Sequence, residues 1–404
     1  MVAGDFNAER LSIPVERQCP FGMPSEYAQL RAERPVATAT LPDGDEVWVV
    51  TSHEYARQLL ADARLSVNRG HPRFPHPLSR EGATGLRTRG MLSWMDPPEH
   101  TECRRMLINE FTIKRLRSLR PAVREIVDEH LSLMTGSTPP VDLVQALAVP
   151  VTQLVICELL GIPESDRAGF NADINIVLDR AVAPRARLEA WNTLRSYLGD
   201  LISGKTAAPA DDLISRLARK CGEAGKTDHD LLIGLVMNLR TGGHESTANM
   251  IALSVVALLS HPDQLADLRA DGSLAPQAIE ELLRFFSIGD WVTGRVTTDD
   301  IVIGDVRIPK GRGVIVLNAA ANHDQDVFAN PASLDIHREA GRHLAFGHGI
   351  HQCIGQNLAR LELEILLTTL FARIPSLRLA VPAADLTFVQ DGAFHGVREV
   401  PVTW

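Results

Sequence analysis

No stretch of this 404-residue chain approaches the roughly 18 consecutive apolar residues that a membrane-spanning helix needs. The segment from Met1 to Arg17 carries acidic and polar residues where a secretory leader would need a basic start and an apolar stretch. A soluble, cytoplasmic protein with no membrane partner is therefore expected. Cysteine is scarce: Cys19, Cys103, Cys157, Cys221 and Cys353 are odd in number, widely spaced and form no CxxC pair. That pattern excludes a disulfide scaffold and the usual zinc motifs, leaving thiols with individual fates. Positive charge is in deficit, with 41 Lys and Arg against 50 Asp and Glu and a net charge of −9. This argues against a broad nucleic-acid face, although a local basic patch is compatible with it. No repeat, low-complexity tract or Gly/Ser/Pro-rich linker divides the chain, so one domain over 1–404 is expected. A GxGxxG after a strand is also missing, so the chain should not reduce itself with a bound nucleotide or flavin.

What is present is a 45% apolar composition, enough to bury a substantial core at this length. Helical spacing dominates beyond Glu99, over Ile113 to Leu133, Val144 to Leu160, Leu188 to Leu201, Asp230 to Leu259, Ala275 to Phe286 and Gln356 to Phe371. Thr227 and Asp230 stand in capping-box positions before the longest of these. Val47 to Thr51 is a short β-rich run after the turn Pro42-Asp43-Gly44-Asp45, and Ser52 to Ala63 has helical spacing. His71 to Arg89, rich in Pro, Arg and Gly, reads as a long loop of the kind that usually serves function. Strand-like runs return at Ile301 to Ile308, Gly313 to Leu317 and in the last thirty residues. The expected class is mainly α with small peripheral β-sheets.

Two segments carry chemistry. Phe346-Gly347-His348-Gly349-Ile350-His351-Gln352-Cys353-Ile354-Gly355 holds three glycines and one thiol just before an apolar helix. Glycines allow positive φ and close backbone approach, and the positive end of the helix dipole favours the thiolate that binds metal. The arrangement suits one axial metal bond; the alternative is a buried apolar thiol in a turn. The second segment, Thr241-Gly242-Gly243-His244-Glu245-Ser246-Thr247, puts two adjacent glycines inside the longest helix, at about 1 kcal/mol each relative to alanine. Such a cost suggests that something approaches the backbone there. Asn238, Thr241 and Glu245 share one helix face, and Arg240 points away from it, paired or snorkelling. Glu281-Leu282-Leu283-Arg284 places opposite charges at i and i+3, which alone would be a surface pair of little energy. His100 and Arg104, after Asp96-Pro97-Pro98-Glu99, would each alone be solvated.

Together these segments resemble the cytochrome P-450 superfamily of the soluble actinobacterial type. Phe346, Gly349, His351, Cys353 and Gly355 match its haem-thiolate signature at every defining position. The likeness runs from Cys19-Pro20-Phe21 to Pro401-Val402-Thr403-Trp404. It implies the triangular, mainly α P-450 fold, with a haem-binding loop at 346–355 and an oxygen-activation helix at about 230–259. The implied cofactor is haem b (iron protoporphyrin IX), with Cys353 as axial ligand. His100, Arg104, Arg295 and His351 would bind its propionates through charge-assisted hydrogen bonds. Glu281, Arg284 and Arg338 would form a buried structural triad. Gly242 and Gly243 would leave room beside the haem where the helix opens, and Glu245 would relay protons. Ser246 occupies the position usually held by threonine, with Thr247 beside it. Serine keeps the hydroxyl donor but loses the methyl that restricts χ1, so retained monooxygenation with some peroxide leakage is expected. Alternatively that hydroxyl bonds the i−4 carbonyl.

The likeness further implies a dioxygen-activating monooxygenase that hydroxylates a small organic substrate, a secondary metabolite or xenobiotic. The pocket would draw on Met91, Leu92, Trp94, Val177, Trp291, Val292 and Phe394. Asn238 and Thr241 would add a polar face matched to a polar substrate group, or else satisfy backbone or water. Electrons would come from a ferredoxin and its reductase, docking near the Cys353 side on Arg104, Arg105 and Arg360. A peroxygenase, whose relatives replace the acid-alcohol pair, fits less well with Glu245 and Ser246 present. An auxiliary binding protein, whose relatives lose the cysteine or the oxygen motif, fits less well for the same reason.

Overall fold

The computed structural model describes residues 11–15, 17, 21–76, 89–179, 181–223, 228–289, 291–389 and 394–404, except for the side chains of residues 223 and 291. Cys19, Thr227, most of the His71 to Arg89 loop and the Trp291 side chain therefore lie outside the described residues.

Helices dominate, arranged around the helix His229–Ser260. Every residue from Met250 to Leu258 on it is buried, as expected of a helix apolar on all sides. It packs against Val149–Leu160 and Gln356–Arg373, and both of those pack against Arg120–Thr135. Its N-terminus departs from the sequence expectation of a cap built on Thr227 and Asp230. The Asp228 carboxylate accepts from the Leu231 N–H at 3.0 Å, satisfying one of the orphan donors of the first turn.

Prolines set two further boundaries. The stretch expected as one helix over Ile113 to Leu133 splits into Ile113–Leu116, a 3-10 turn Arg117–Leu119 and Arg120–Thr135. Pro121 sits in the first turn of the last piece, where its missing N–H costs nothing. Likewise Val144–Ala148 forms a π-helical turn before Val149–Leu160, which carries Pro150 in its first turn. Gly161 ends that helix at φ 78°, a left-handed cap. The next two helices, Glu164–Leu178 and Pro184–Ala207, pack on each other. Among the described residues no single helix is long and apolar enough to cross a membrane; Val144–Leu160 with Glu164–Leu178 passes that test only as a pair bent by 119°.

The principal sheet orders its strands Val36–Thr40, Glu46–Val50, Gly313–Val316, Arg295–Thr297 and Leu65–Ser66. Only the pairing of Glu46–Val50 with Gly313–Val316 is parallel. Two small apolar clusters cover its faces, one around Tyr27, Val49 and Ile315 and the other around Val50, Leu60 and Val316. The run expected over Ile301 to Ile308 is a hairpin, Ile301–Ile303 with Val306–Ile308, turning at Gly304 with φ 57°. Mainly α with small sheets is thus the observed class.

One backbone contact positions the distal wall. A Cβ on Gly234 of the long helix would strike the Arg89 carbonyl oxygen and come within 2.9 Å of the Gly90 Cα. Only glycine lets the chain entering the 3-10 turn Leu92–Trp94 lie directly on that helix.

Candidate active site

Cys353 lies just before the helix Gln356–Arg373, and its sulfur accepts the backbone N–H groups of Gly355 and Gln356. Its own N–H donates to the Phe346 carbonyl at 2.8 Å, closing the loop. Gly347 and Gly349 adopt φ 70° and 74°. A Cβ on Gly349 would run into the Leu60 carbonyl oxygen, so the loop's second glycine permits contact with the helix His53–Leu60. Burial pushes the free Cys353 thiol up, against the pull of those two N–H groups, Arg104 and Arg360. A cation at the sulfur would reverse that balance. The side chain has open surface although it lies deep inside the protein, so it faces an internal recess. Cys103, Cys157 and Cys221 are simply buried.

Beside it sits a set of donors without acceptors. The rings of His100 and His351 are 4.3 Å apart between centroids. Both ring nitrogens of His100 and Nε2 of His351 are buried with no hydrogen-bond partner. Burial, reinforced by Arg295, His100 and Arg104, pulls His351 down to about 3, so it stays neutral; burial and Arg104 lower His100 as well. Arg295 is nearly buried on its strand, pulled to about 10 by burial, and gives one bond to the Gly294 carbonyl at 2.8 Å. Arg104 Nη2 donates to the Gln352 carbonyl at 2.7 Å. Orphaned donors of this kind are costly unless an acceptor arrives. The chemistry of the set fits the two carboxylates of a haem.

The triad residues come together with no side-chain exposure at Glu281 and Arg284. Arg284 grips Glu281 in a bidentate pair, Nε to Oε2 at 2.7 Å and Nη2 to Oε1 at 2.8 Å. Arg338 Nε reaches the same carboxylate at 3.1 Å, as does the Asp335 N–H at 3.0 Å. Arg284 Nη1 also spans to the Asn322 and Pro331 carbonyls. A pair that looks like a surface contact in sequence is therefore the knot joining the helix Ala275–Phe286 to the segment leading into the Cys353 loop. Sequence reasoning missed its neighbour Glu280. Burial disfavours that carboxylate, but hydrogen bonds from Arg360 and His343 outweigh it and hold Glu280 at about 2.

On the long helix the oxygen motif differs in detail from the expectation. The helix is continuous through it rather than opened. Gly242 is exposed and a Cβ there would meet nothing within 4 Å. A Cβ on Gly243 would lie 2.8 Å from Ile156 Cδ1, so this glycine admits the neighbouring helix. Glu245 is exposed and Thr247 buried. Ser246 Oγ donates to the Gly242 carbonyl at 2.9 Å, the local i−4 bond. Thr241 does likewise to Met237 at 2.9 Å, and Asn238 Oδ1 accepts from Ser93 N and Oγ at 3.2 and 3.0 Å. The polar face is thus largely satisfied within the protein. Arg240 is paired rather than snorkelling, though with an amide, and it makes no ion pair among the described residues. It is fully buried, gives one bond to Asn171 at 2.9 Å, and has Nε and Nη1 unpartnered.

Of the expected pocket residues, Met91 and Trp94 are half-buried, and Val292 and Phe394 converge on Gly289, 3.2 and 3.6 Å from the position of a Cβ there. Leu92 and Val177 are buried in the main apolar core, against which Met91 also packs. Arg104 turns inward, and Arg360 is taken up by Glu280 at 2.6 and 2.9 Å and by the Phe346 ring at 4.6 Å. Only Arg105 of the three expected docking residues is exposed. Glu362 was also missed: it is fully enclosed, Oε2 has no partner, and burial raises its pKa. Its signal was present, since it falls four residues from both Leu358 and Leu366 on the buried stripe.

Comparisons with known proteins identify the family. The family profile described as Cytochrome P-450 matches residues 189–374. Cytochrome P-450 105A3 of Streptomyces carbophilus is 47% identical over 98% of this chain and 96% of its own. The vitamin D3 dihydroxylase of Streptomyces griseolus is 46% identical over 97% of each. The crystal structure of cytochrome P-450 MoxA from Nonomuraea recticatena superposes with a TM-score of 0.92 at 47% identity, over 98% of both chains.

Replacing Glu281 by glutamine leaves two arginines facing a neutral amide in a buried site. Unfolding by urea should show a loss of about 3–5 kcal/mol; a change below about 1 kcal/mol would mean that the triad is a bystander.

Proposed function

The chain belongs to the cytochrome P-450 family and is a haem-dependent monooxygenase, and from that premise we propose that Cys353 is the axial thiolate of a haem b held by His100, Arg104, Arg295 and His351. The observation that carries this reading is the Cys353 sulfur, which faces an internal recess on two backbone N–H groups, with the partnerless nitrogens of His100 and His351 close by. The haem supplies activation of dioxygen; the protein supplies position, water exclusion and protons. Phe346 and Gly349 shape the loop, and Gly355 brings its N–H to the sulfur. Gly242 leaves its side of the long helix open. Exposed Glu245 takes protons from solvent and passes them toward the recess, and buried Thr247 steadies the helix behind it.

Ser246 is the weak point of proton delivery. Its hydroxyl rests on the Gly242 carbonyl and must leave that bond to donate elsewhere. Without a γ-methyl, nothing restricts its χ1 while it does so.

The substrate is a predominantly apolar secondary metabolite or xenobiotic with a polar group. The vitamin D3 dihydroxylase among its relatives acts, by its name, on a molecule of that character. Met91, Trp94, Val292 and Phe394 supply apolar surface. Asn238, whose carbonyl oxygen is held by Ser93, presents its amide nitrogen to a polar group, with Thr241 a turn away. A ferredoxin and its reductase deliver electrons in the cytoplasm, a compartment in keeping with the four free thiols among the described residues. The ferredoxin docks near exposed Arg105, with exposed Lys114, Arg117 and Ile113 following in the chain.

Ser246→Thr should lower peroxide released per electron pair consumed by about twofold or more while product formation rises; equal peroxide yields would remove serine as the cause. Arg105→Glu should raise the KM for ferredoxin several-fold at low salt, with the gap closing as added salt shortens the Debye length, and peroxide-driven turnover should stay unchanged. A gap that persists at high salt would place the docking face elsewhere.

A further inference from the structure

Arg69 is a cation that the reactions above do not use. It follows the strand Leu65–Ser66 and is partly buried, and burial pulls it down to about 10. It makes no hydrogen bond or ion pair with any described residue. Its guanidinium carbon lies 4.6 Å from the centre of the Trp94 ring and 5.8 Å from that of Phe74. Arg295 is close enough for the two charges to disfavour each other. The acid that faces Arg295, Asp96, is already engaged. One oxygen accepts from the Val67 N–H at 2.9 Å and the other from the Ser66 hydroxyl.

This arrangement has a chemical direction. A guanidinium held over an aromatic ring keeps N–H groups that the ring does not consume, and those groups form the fork that matches a carboxylate. A half-buried cation beside a second cation is unfavourable until an anion joins them. Trp94 closes the turn Leu92–Trp94, and its neighbour Ser93 is bonded to Asn238 of the long helix. Asn238 precedes Glu245 by seven residues on the same face, about 10 Å along the axis.

We propose that Arg69, stacked against Trp94 and Phe74, is a recognition residue for a carboxylate at the edge of the active site. That carboxylate belongs either to the substrate, as its polar group, or to a haem propionate. The inference rests on the haem-thiolate reading of Cys353, and it extends that reading to what the site selects.

The test is made on the haem-loaded protein and on Arg69→Gln, with Arg69→Lys keeping the charge without the fork. Ferric spectra are titrated with dodecanoate and with dodecanol, and haem release is timed by transfer to excess apomyoglobin. If the carboxylate is the substrate's, wild type prefers dodecanoate, Arg69→Gln loses about tenfold or more of that affinity, Arg69→Lys loses less, and dodecanol binding is unchanged. If it is the propionate, haem release quickens in Arg69→Gln while the acid-to-alcohol ratio stays put. Unchanged haem release together with an unchanged ratio, or with no binding of dodecanoate to wild type, overturns the proposal. Because haem loading of wild type is read first, failure of the Cys353 reading would show there, before any effect of Arg69.

Discussion

Everything at this site depends on one sulfur held by two backbone N–H groups where a helix begins. Cys353 is buried deeply enough that its free thiol is disfavoured as an anion, so the hydrogen bonds from Gly355 and Gln356 alone do not make it a thiolate. They do fix where the sulfur points. The loop can deliver it there because Gly347 and Gly349 take positive φ and because Gly349 has no Cβ to meet the Leu60 carbonyl. In the proposed reading, a bound iron would supply the charge that the protein withholds. The proposed haem-thiolate bond would in this sense be shared between a preorganised sulfur and its metal.

Around that bond the protein stores donors and charges that the apolar core could not tolerate by itself. The Glu281–Arg284–Arg338 knot is satisfied internally, with two guanidiniums and carbonyls closing the network. The His100 and His351 pair is not: both ring nitrogens of His100 and Nε2 of His351 are buried without a partner, and burial lowers the pKa of each ring. One network ties elements together, and the other waits for a ligand. This difference separates a structural charge cluster from a binding one, and it is visible without the ligand.

Much of this was legible in the sequence, for reasons that differ by residue. The Cys353 loop could be read because glycine and cysteine at fixed spacing are informative one by one. Glu281 and Arg284 were legible only as a pattern, since i and i+3 charges look the same on a surface as in a core. Gly243 was legible only in part: adjacent glycines signal close approach, but not that Ile156 is a group that approaches. The cap at Asp228 was displaced because three acceptors stand within four residues and backbone geometry chooses among them. Arg240 was legible as turned away from the polar face but not as fully buried, and Arg69 was not legible at all, since what surrounds an arginine is a tertiary fact. Pro121 gave its signal plainly, and the helix start expected at Ile113 was placed too far ahead of it; Pro150 marks where a π-helical turn passes into α-helix within the helix expected over Val144 to Leu160.

The central claim is that Cys353 sulfur ligates the haem iron. The reduced, carbon monoxide-bound spectrum reads that bond directly. Wild type should give the red-shifted Soret band of thiolate ligation, and Cys353→His should bind haem without it. A wild-type complex lacking that band, or a band that survives in Cys353→His, would contradict the account.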